Sequence, residues 1–599
     1  MRPVRWIWAR LKARDGFARC DAVRVLISLS ASPSSHACAT FGRCNVEGRK
    51  TDARRRECQR RLNLSGMLCA AFALLSLFSS GSIAQQRASG QELRAIKEYI
   101  HRSWRLLRRS NAQLAQAAVD PKFKPSSVRW PVYISPREDL AAVEKRLAAE
   151  MSPADLARIE LRTLPDDPAR ISEHGLLYLP HPYVVPGGRF NEMYGWDSYF
   201  IEVGLLRDGE TGLAKSMVEN FLYQVEYYGK VLNANRTYYL TRSQPPFLTR
   251  MVLDVYRRTR DRTWLEKSVP AMEKYYLFWT TGPHLVAETG LSRYYDFGEG
   301  PAPEVVSGER DAQGRTHYDR VREYYRTHEV KDYVVSLYYD RGRDRLTDLF
   351  YKGDRSMRES GFDPSNRFGP FSVDIINYNP VCLNSLLYVM ESDMAQIMNE
   401  LGRRREAAVW LRRAAERRQR VNRLMWDEVD GLYYDYNFVE RRRRRYPFVT
   451  TFYPLWAGIA SAQQAARVVA NLRLFERRGG LQTSTNVSGS QWDAPFGWAP
   501  MQLLAVQGLQ RYGYRREAER IAVNFLSLVL QEFIEHRTIV EKYDVVRRKS
   551  DVGGGLKFGY ASNEIGFGWT NAAWTELYAQ LTPRARRLVL RPDGIRVPR

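Results

Sequence analysis

Pro186-Gly-Gly-Arg-Phe-Asn-Glu-Met-Tyr-Gly-Trp-Asp-Ser-Tyr199 combines three glycines, one arginine, two carboxylates and four aromatic rings in a single short segment. Gly187 and Gly188 allow a positive φ or a close approach to a ligand, while Arg189 and Asp197 can hold hydroxyl groups by charge-assisted hydrogen bonds. The rings offer flat apolar faces. Because a sugar presents both hydroxyl groups and apolar faces, the segment is typical of a carbohydrate site. A turn that enters a buried helix with aromatic core residues is the alternative.

Other loops along the chain use the same residue types, in which amides, carboxylates and arginines alternate with aromatic rings. These loops are 233–246, 359–367, 426–427, 433–436, 491–500, 540–544 and 566–571. Loops on a rigid scaffold usually carry function. Their number favours a sugar-binding surface over a chance composition in one turn.

Between these loops, apolar residues recur at the spacing of amphipathic helices. The predicted helices are 91–109, 211–229, 246–259, 264–280, 380–401, 404–425, 457–473, 500–511 and 515–535. Residues 125–136 are predicted to be extended, and strand-like alternation is otherwise scarce. Serial helical hairpins with chemistry in the loops predict an all-α toroid or solenoid.

Glycoside hydrolysis needs one protonated carboxyl group and one carboxylate, so acidic residues in these loops are the candidates for catalysis. Residue type alone does not choose among them, and helix capping or pairing with arginine is the alternative for each. The candidates are Glu192, Asp197, Glu359, Asp363, Asp493, Glu541 and Asp544.

The chain has a formal charge of +25, which invites a nucleic-acid interpretation. Many arginines, however, lie in the first sixty residues or on faces of predicted helices, where solvated charge is ordinary. The run 441–445 is the one basic block, and we interpret it as an exposed loop between aromatic segments. The composition therefore does not favour a nucleic-acid partner.

The N-terminal sequence indicates a targeting segment rather than part of the folded domain. Residues 1–60 are basic and without periodicity, and we expect them to be unstructured or to precede the true translation start. Residues 61–84 contain the apolar run 67–78 and the pattern Ser82-Ile-Ala84, as in a secretory signal peptide. The predicted location is therefore periplasmic or secreted, with 85–599 as a single catalytic domain without a membrane span.

Cysteine and histidine usage gives no support for a metal mechanism. Five of the six cysteines precede residue 84, which leaves only Cys382 in the predicted mature chain. No CxxC motif or paired histidine spacing suggests zinc. We therefore expect neither a metal nor an organic cofactor.

Two segments carry a family resemblance: PGGRFNEMYGWDSY at 186–199 and QWDAPFGWAP at 491–500. They resemble the two signature segments of the inverting trehalase family of glycoside hydrolases (family 37), nearly position for position. NANRTYYLTRSQPP, ESGFDP, FYPLWAG, VEKYD and GFGWTN are similar to other recurring blocks of that family. The resemblance extends from about residue 95 to about residue 580.

The resemblance implies an (α/α)6 toroid that hydrolyses α,α-trehalose to one α- and one β-glucose. Asp363 in ESGFDP corresponds to the family's general acid, and Glu541 in VEKYD to its general base, with roughly 6.5–9.5 Å between the carboxyl groups. The positions that line the glucose subsites in the family are here Arg189, Phe190, Tyr194, Trp196, Asp197, Asn233, Arg242, Ser243, Gln244, Glu304, Gly361 and Trp492. Trehalose is the expected partner, and the oligomeric state is not predicted.

Three departures from the family pattern leave alternatives open. The family's Arg-Pro-Glu segment is Ala302-Pro-Glu304 here, a glutamate expected before Tyr560 is absent, and an acidic position is occupied by Cys382. Arg310 is a candidate replacement for the missing arginine. The alternatives are an inverting α-glycosidase of the same fold that acts on another glucoside, and a catalytically silent sugar-binding homologue.

Overall fold

The computed structural model describes residues 90–123, 125–308, 310–553, 556–560, 562–591 and 593–597. The predicted basic segment (1–60) and the predicted signal peptide (61–84) lie outside these residues. The elements below all belong to one compact unit, Ala84–Arg599.

Helices dominate the structure. In chain order, the α-helices are α1 (Gly90–Leu107), α2 (Leu114–Ala118), α3 (Leu140–Glu150), α4 (Pro153–Leu156), α5 (Gly195–Arg207), α6 (Thr211–Tyr228), α7 (Leu248–Thr259), α8 (Arg262–Thr280), α9 (Pro303–Val306), α10 (His317–Thr327), α11 (Asp348–Glu359), α12 (Val381–Glu400), α13 (Arg404–Met425), α14 (Tyr453–Ala457), α15 (Ala462–Ala470), α16 (Ala499–Arg511), α17 (Arg515–His536), α18 (Gly568–Gln580) and α19 (Pro583–Val589).

The strands are short and lie in the connections between helices. In chain order, they are β1 (Arg108–Arg109), β2 (Trp130–Ile134), β3 (Ile159–Thr163), β4 (Leu176–Leu177), β5 (Tyr183–Val184), β6 (Leu285–Val286), β7 (Leu291–Ser292), β8 (Tyr339–Asp340), β9 (Arg345–Leu346), β10 (Tyr378–Asn379), β11 (Trp426–Asp427), β12 (Leu432–Tyr433), β13 (Asp435–Asn437), β14 (Arg442–Arg444), β15 (Glu476–Arg477), β16 (Gly480–Leu481), β17 (Phe496–Trp498) and β18 (Lys542–Asp544). The extended segment predicted at 125–136 contains β2, which pairs in parallel with β3 and β4.

Six helices form a closed inner ring in which each contacts the next. The order around the ring is α5, α7, α12, α14, α16, α18 and back to α5. Other helices, among them α6, α8, α13 and α17, pack against the outside of this ring. The arrangement is an (α/α)6 toroid, so the predicted fold class is confirmed.

The ring closes where α5 meets α18, which are the first and the last inner helices in chain order. A Cβ placed on Gly204 would lie 2.6 Å from the Cβ of Ala572, so only glycine allows the two helices to approach this closely. At the end of the same seam, Arg207 Nε donates to Glu576 Oε2 over 2.6 Å.

Helix α1 covers this seam from outside. Trp104 Nε1 donates to Asp208 Oδ2 at the end of α5 over 2.7 Å, and the hydroxyl groups of Tyr99 and Thr538 are 3.0 Å apart. The first described helix therefore holds the first inner helix of the ring and the connection that follows α17.

The predicted helices agree with the structure except at 457–473. The only α-helix within that segment is α15, because α14 ends at Ala457, where Gly458 takes the left-handed conformation with φ +85°, and α15 begins at Ala462. Among the described residues, no helix combines the length and the apolar character required to span a bilayer.

The basic run at 441–445 is not a free loop, as the sequence had suggested. Its central residues form β14, antiparallel to β13. Arg444 forms an ion pair with Asp332 at 2.5 Å, and Arg445 with Asp427 at 3.3 Å. Because carboxylates of this chain already balance part of the run, it offers less free charge to an external polyanion than its sequence suggests.

Candidate active site

The loops at the N-terminal ends of the inner helices enclose one pocket. Trp196 and Asp197 lie in the first turn of α5, and Gln244 lies just before α7. Asp363 precedes α12, and Trp498 immediately precedes α16. The residues that the sequence had grouped by composition therefore meet at one mouth of the toroid.

Twelve of the fourteen predicted site residues line this pocket. They are Phe190, Tyr194, Trp196, Asp197, Asn233, Arg242, Gln244, Glu304, Gly361, Asp363, Trp492 and Glu541. The pocket encloses about 120 Å³, which is less than ligand pockets usually offer.

Arg189 and Ser243 are the two predicted residues that do not line the pocket. The Arg189 guanidinium lies 4.4 Å from the ring centroid of Tyr560 and 3.5 Å from a carboxylate oxygen of Glu564. Ser243 is buried, and its Oγ donates to the carbonyl of Val231 over 2.6 Å. Both residues position the loops around the pocket in this structure.

The pocket also contains residues that the sequence analysis did not single out. They are Pro186, Tyr239, Arg358, Gln491, Trp498, Tyr560, Phe567 and Trp569. Most belong to segments already quoted for their aromatic content, so position within those segments was the available signal. Arg358 and Tyr560 are the important additions, because each contacts one of the two predicted catalytic carboxyl groups.

Asp363 lies in the loop that follows α11, with 35% of its side-chain surface accessible. Burial raises the pKa of Asp363 to about 7, although the guanidinium groups of Arg358 and Arg242 oppose this shift. Arg358 Nη1 is 3.6 Å from Asp363 Oδ2. A carboxyl group with this pKa is a proton donor near neutral pH.

The backbone around Asp363 is held by the second signature segment. The side-chain amide of Gln491 donates to the carbonyl of Asp363, and the Trp492 amide donates to the carbonyl of Pro364 over 3.1 Å. The 491–500 segment thus fixes the loop that carries Asp363.

Glu541 has a different environment from Asp363. Lys542 Nζ donates to Glu541 Oε2 over 3.0 Å, and the Tyr560 hydroxyl donates to Glu541 Oε1. Lys542 is fully buried, and this burial lowers its pKa. The two donors hold the Glu541 side chain as a hydrogen-bond acceptor directed at the pocket.

Asp197 is close to both of these carboxyl groups. Burial raises its pKa well above the usual range, and the charges of Glu541 and then Asp363 raise it further. Since Asp197 also lies in the first turn of α5 and lines the pocket, it is placed to bind a hydroxyl group rather than to remain solvated.

The other four acidic candidates do not line the pocket and have structural partners. Glu192 pairs with Arg236 at 2.8 Å, and Glu359 accepts from the amide of Tyr295 over 2.7 Å. Asp493 accepts from Ser484, Ser488, Tyr446 and the Asn366 amide, and Asp544 accepts from the amides of Val546 and Arg547. The structure thus distinguishes the three acidic candidates that line the pocket from the four that do not, which residue type alone could not do.

Arg242 and Glu304 form a buried ion pair in the pocket wall. In the described part of the chain, Glu304 Oε2 and Gln491 Oε1 have no hydrogen-bond partner. Buried polar atoms without partners are uncommon in native proteins. Because both residues line the pocket, hydroxyl groups of a bound sugar are suitable partners for them.

Tryptophan rings form much of the remaining wall. Trp492 and Trp498 stack with their centroids 3.8 Å apart, and Trp196 lies 5.7 Å from Trp492. Trp569 meets Trp196 edge-on at 6.1 Å. This wall can cover the apolar face of a pyranose ring.

Ala302 stands where the family has an arginine, and the structure shows which arginine lines the pocket instead. Ala302 is fully buried at the start of α9, where its amide donates to the Tyr318 hydroxyl over 3.0 Å. Arg310 is exposed and does not line the pocket, so it is not the replacement. Arg358 instead supplies a guanidinium to the pocket, held by Asp354 at 3.1 Å.

The missing glutamate before Tyr560 also has a steric explanation. Gly559 occupies that position with φ +116°, and a Cβ there would lie 2.7 Å from the side-chain amide of Gln491. A glutamate is therefore incompatible with this backbone. At the third departure, Cys382 Sγ accepts from Arg367 over 3.5 Å, while Arg367 pairs with Asp435 instead of a family acid.

The described residues contain one group of acidic and histidine side chains close enough to share a metal: Glu532, Glu535 and His536. This group lies on α17 outside the pocket. Lys549 already forms ion pairs with Glu532 and Glu535, at 3.3 and 3.0 Å. The group is therefore a salt-bridge cluster rather than part of the candidate active site.

The chain is similar to known proteins over most of its length. A family model described as Trehalase matches residues 84–581. The cytosolic neutral trehalases of Neurospora crassa and Saccharomyces cerevisiae are 38% and 39% identical to the chain, over 66% and 68% of its length. The chain spans only 57% and 58% of the length of these two relatives.

The fold has a solved counterpart. The structure of a neutral trehalase from Saccharomyces cerevisiae superposes with a TM-score of 0.70 at 32% identity. The match covers 83% of this chain and 96% of the solved chain.

Proposed function

Because the chain belongs to the trehalase family, we propose that it hydrolyses α,α-trehalose to two glucose molecules with inversion of anomeric configuration. Asp363 is the proposed general acid and Glu541 the proposed general base. The observation that carries the proposal is their presence in one pocket with contrasting environments. One carboxyl group that keeps its proton near neutral pH, beside a second that accepts hydrogen bonds from Lys542 and Tyr560, is typical of an acid and base pair.

In the proposed reaction, Asp363 donates its proton to the oxygen that bridges the two glucose units. Glu541 removes a proton from a water molecule, and that water attacks the anomeric carbon from the opposite face. The bond between the anomeric carbon and the bridging oxygen breaks. One glucose leaves in the α configuration, and the attacked glucose is released in the β configuration.

The proposed substrate contacts follow from the chemistry of the wall. Trp196, Trp492 and Trp569 cover apolar sugar faces, while Asp197 and the Arg242–Glu304 pair bind hydroxyl groups. Arg358 has two roles, because it lines the pocket and also lies beside Asp363. Its guanidinium provides a cation where the family arginine is absent.

The site offers less support for the two rival functions. A glycosidase for another glucoside was suggested by Ala302 and the absent glutamate, but Arg358 and Gly559 account for both departures within a trehalase site. A silent sugar-binding homologue does not need a proton donor with a pKa near neutrality beside a second carboxyl group. Trehalose hydrolysis therefore remains the function that the site supports best.

Proton NMR on fresh reaction mixtures tests substrate and mechanism together. We expect trehalose to yield α- and β-glucose in equal amounts before mutarotation. Release of α-glucose alone would contradict inversion. Glucose release from maltose or kojibiose without any from trehalose would instead support the glycosidase of altered specificity.

The pKa of Asp363 predicts the alkaline limit of activity. Since the acid acts in its protonated form, and its pKa in the folded protein is raised to about 7, kcat/KM for trehalose should fall as the pH rises through about 7. We expect this limb in pH profiles of the wild-type enzyme. Residual activity of Asp363→Asn should lack it, and persistence of the same limb in that variant would assign the titration to another group.

Restoring the family glutamate should damage the site rather than improve it. A side chain at the positive φ of Gly559 costs on the order of 1–3 kcal/mol of strain and displaces Gln491 or Tyr560. We expect Gly559→Glu to lower kcat/KM by about tenfold or more. Gly553→Glu is the matched control, because the nearest atom to a Cβ at Gly553 is Asp551 Oδ1 at 3.5 Å. An increase in kcat/KM for Gly559→Glu would refute the steric explanation.

The predicted periplasmic or secreted location is contradicted. The similar curated proteins are named cytosolic neutral trehalases, which argues against export. Residues 61–84, from which a signal peptide had been predicted, lie outside the described residues. A hydrophobic run followed by small residues was thus an insufficient basis for assigning the location.

A further inference from the structure

A second cavity lies at the other end of the toroid, and we call it the back cavity. It is bounded by Tyr199 on α5, Arg250 on α7, Trp456 on α14 and Arg511 on α16, and it encloses about 750 Å³. Its volume falls within the range of small-molecule sites. None of the residues discussed for the catalytic pocket lines it.

Aromatic side chains fill the toroid axis between the two cavities. Trp196, in the catalytic pocket, lies 6.1 Å from Phe200, which lies 5.4 Å from Phe247. Phe247 stacks on Tyr199 at 4.3 Å, and Tyr199 forms part of the floor of the back cavity. The back cavity is therefore a separate site rather than an extension of the catalytic pocket.

The back cavity has more arginines than carboxylates. Arg207 is bonded to Glu576 over 2.6 Å, Arg257 to Asp254 over 2.6 Å, and Arg250 to Asp393 over 2.7 Å. These pairs leave Arg258 and Arg511, which also line the cavity.

Arg258 and Arg511 are the two cations in excess. Within the described residues, neither forms an ion pair or a side-chain hydrogen bond, and both are exposed. Arg250 Nε, deeper in the cavity, is buried and likewise has no hydrogen-bond partner there. Three guanidinium groups thus retain donors for a ligand, and two of them carry uncompensated charge.

Arg258 and Arg511 lie in the last turns of α7 and α16, where helix dipoles favour cations. Such residues usually lie on an open, solvated surface. Here they stand at the rim of a concave site with the rings of Tyr199 and Trp456 in its floor and an unsatisfied Arg250 donor beside them.

This combination selects the class of ligand. Excess positive charge disfavours a metal cation, and a neutral sugar would leave that charge unbalanced. Guanidinium groups match the geometry of phosphate oxygens, and a cavity of about 750 Å³ has room for more than a phosphate ion. Tyr199 and Trp456 are only 3% and 7% exposed, so they close the floor of the cavity and do not offer open ring faces. We propose that the back cavity binds a small phosphate monoester, with its phosphate held by the guanidinium groups that line the cavity, Arg258 and Arg511 among them, and its organic part in the remaining volume.

Isothermal titration calorimetry of the full chain tests this site. The probes are glucose 6-phosphate, AMP, inorganic phosphate and, as the uncharged reference, glucose, all at one ionic strength. We expect one-to-one binding of at least one ester, tighter than inorganic phosphate. The two esters distinguish a sugar from a base as the organic part.

The decisive variant is Arg258→Gln/Arg511→Gln, because these unpaired side chains leave no carboxylate without a partner. Affinity for the ester should fall about tenfold or more. Arg405→Gln/Arg412→Gln removes two exposed arginines from α13, neither with an ion pair in the described part of the chain, and should leave the affinity unchanged. The single variant Arg258→Gln should show an intermediate loss, and thermal unfolding confirms that each variant is folded.

Three results would overturn the proposal. The first is the absence of ester binding at millimolar concentration. The second is an equal loss of affinity in both double variants, which would indicate general charge attraction. The third is binding of inorganic phosphate as tight as that of either ester, which would show that the rest of the cavity does not bind an organic group.

Discussion

Asp363→Asn is expected to lower kcat for trehalose by about 10²–10⁴-fold, the usual contribution of a general acid. The amide has nearly the same shape and keeps an oxygen near Arg358, but it cannot donate the proton that the leaving oxygen requires. Trehalose binding should survive, because Trp196, Trp492 and Arg242 remain in place. Steady-state kinetics measures kcat, and calorimetry measures binding.

A substrate that leaves without proton donation separates loss of the acid from general damage. With α-D-glucosyl fluoride, Asp363→Asn should retain much more of the wild-type rate than it does with trehalose. Asp348→Asn, at the exposed start of α11, the helix that precedes the Asp363 loop, is the matched control and should behave as wild type on both substrates. Equal losses on the two substrates would show that Asp363 is not the acid.

Glu541→Gln is expected to lower kcat by a similar factor, about 10²–10⁴-fold, because glutamine cannot take a proton from water. The loss should be as large with α-D-glucosyl fluoride as with trehalose, since both substrates need an activated water. This opposite response to the fluoride distinguishes the base from the acid. Kinetics on both substrates provides the measurement.

The stability of Glu541→Gln needs a separate measurement, because Lys542 loses its carboxylate partner. Lys542 keeps the carbonyl of Ser562 as an acceptor at 3.3 Å, so a lower thermal midpoint with a folded enzyme is expected. Glu535→Gln, which removes an exposed carboxylate paired with Lys549, is the matched control for charge. Rapid hydrolysis of trehalose by Glu541→Gln would contradict its role as base.

The outer helices were predictable from the sequence, and some inner ones were not. Helices α6 and α13 expose one face and bury the other, which produces the periodicity used for prediction. Helices α5 and α18 are buried on nearly every side, so their sequences show no such alternation. Their existence follows only from the closed ring.

Site prediction shows a similar division. Motif similarity located Asp363 and Glu541, and the structure brings both to one pocket. The contacts of Arg358 and Tyr560 with these carboxyl groups depend on loop geometry, which no local pattern encodes. Likewise, the sequence showed only that a glutamate is absent before Tyr560, and the reason, the positive φ of Gly559 and its closeness to Gln491, became visible in the structure.

Closure of the ring between α5 and α18 has a consequence for how the protein is made. Arg207 and Glu576 are 369 positions apart, and the ribosome releases the N-terminal part of a chain first. The face of α5 that packs on α18 therefore remains uncovered until α18 has left the ribosome. Closure of the barrel must wait for α18, and apolar surface of the nascent chain stays accessible to chaperones until then.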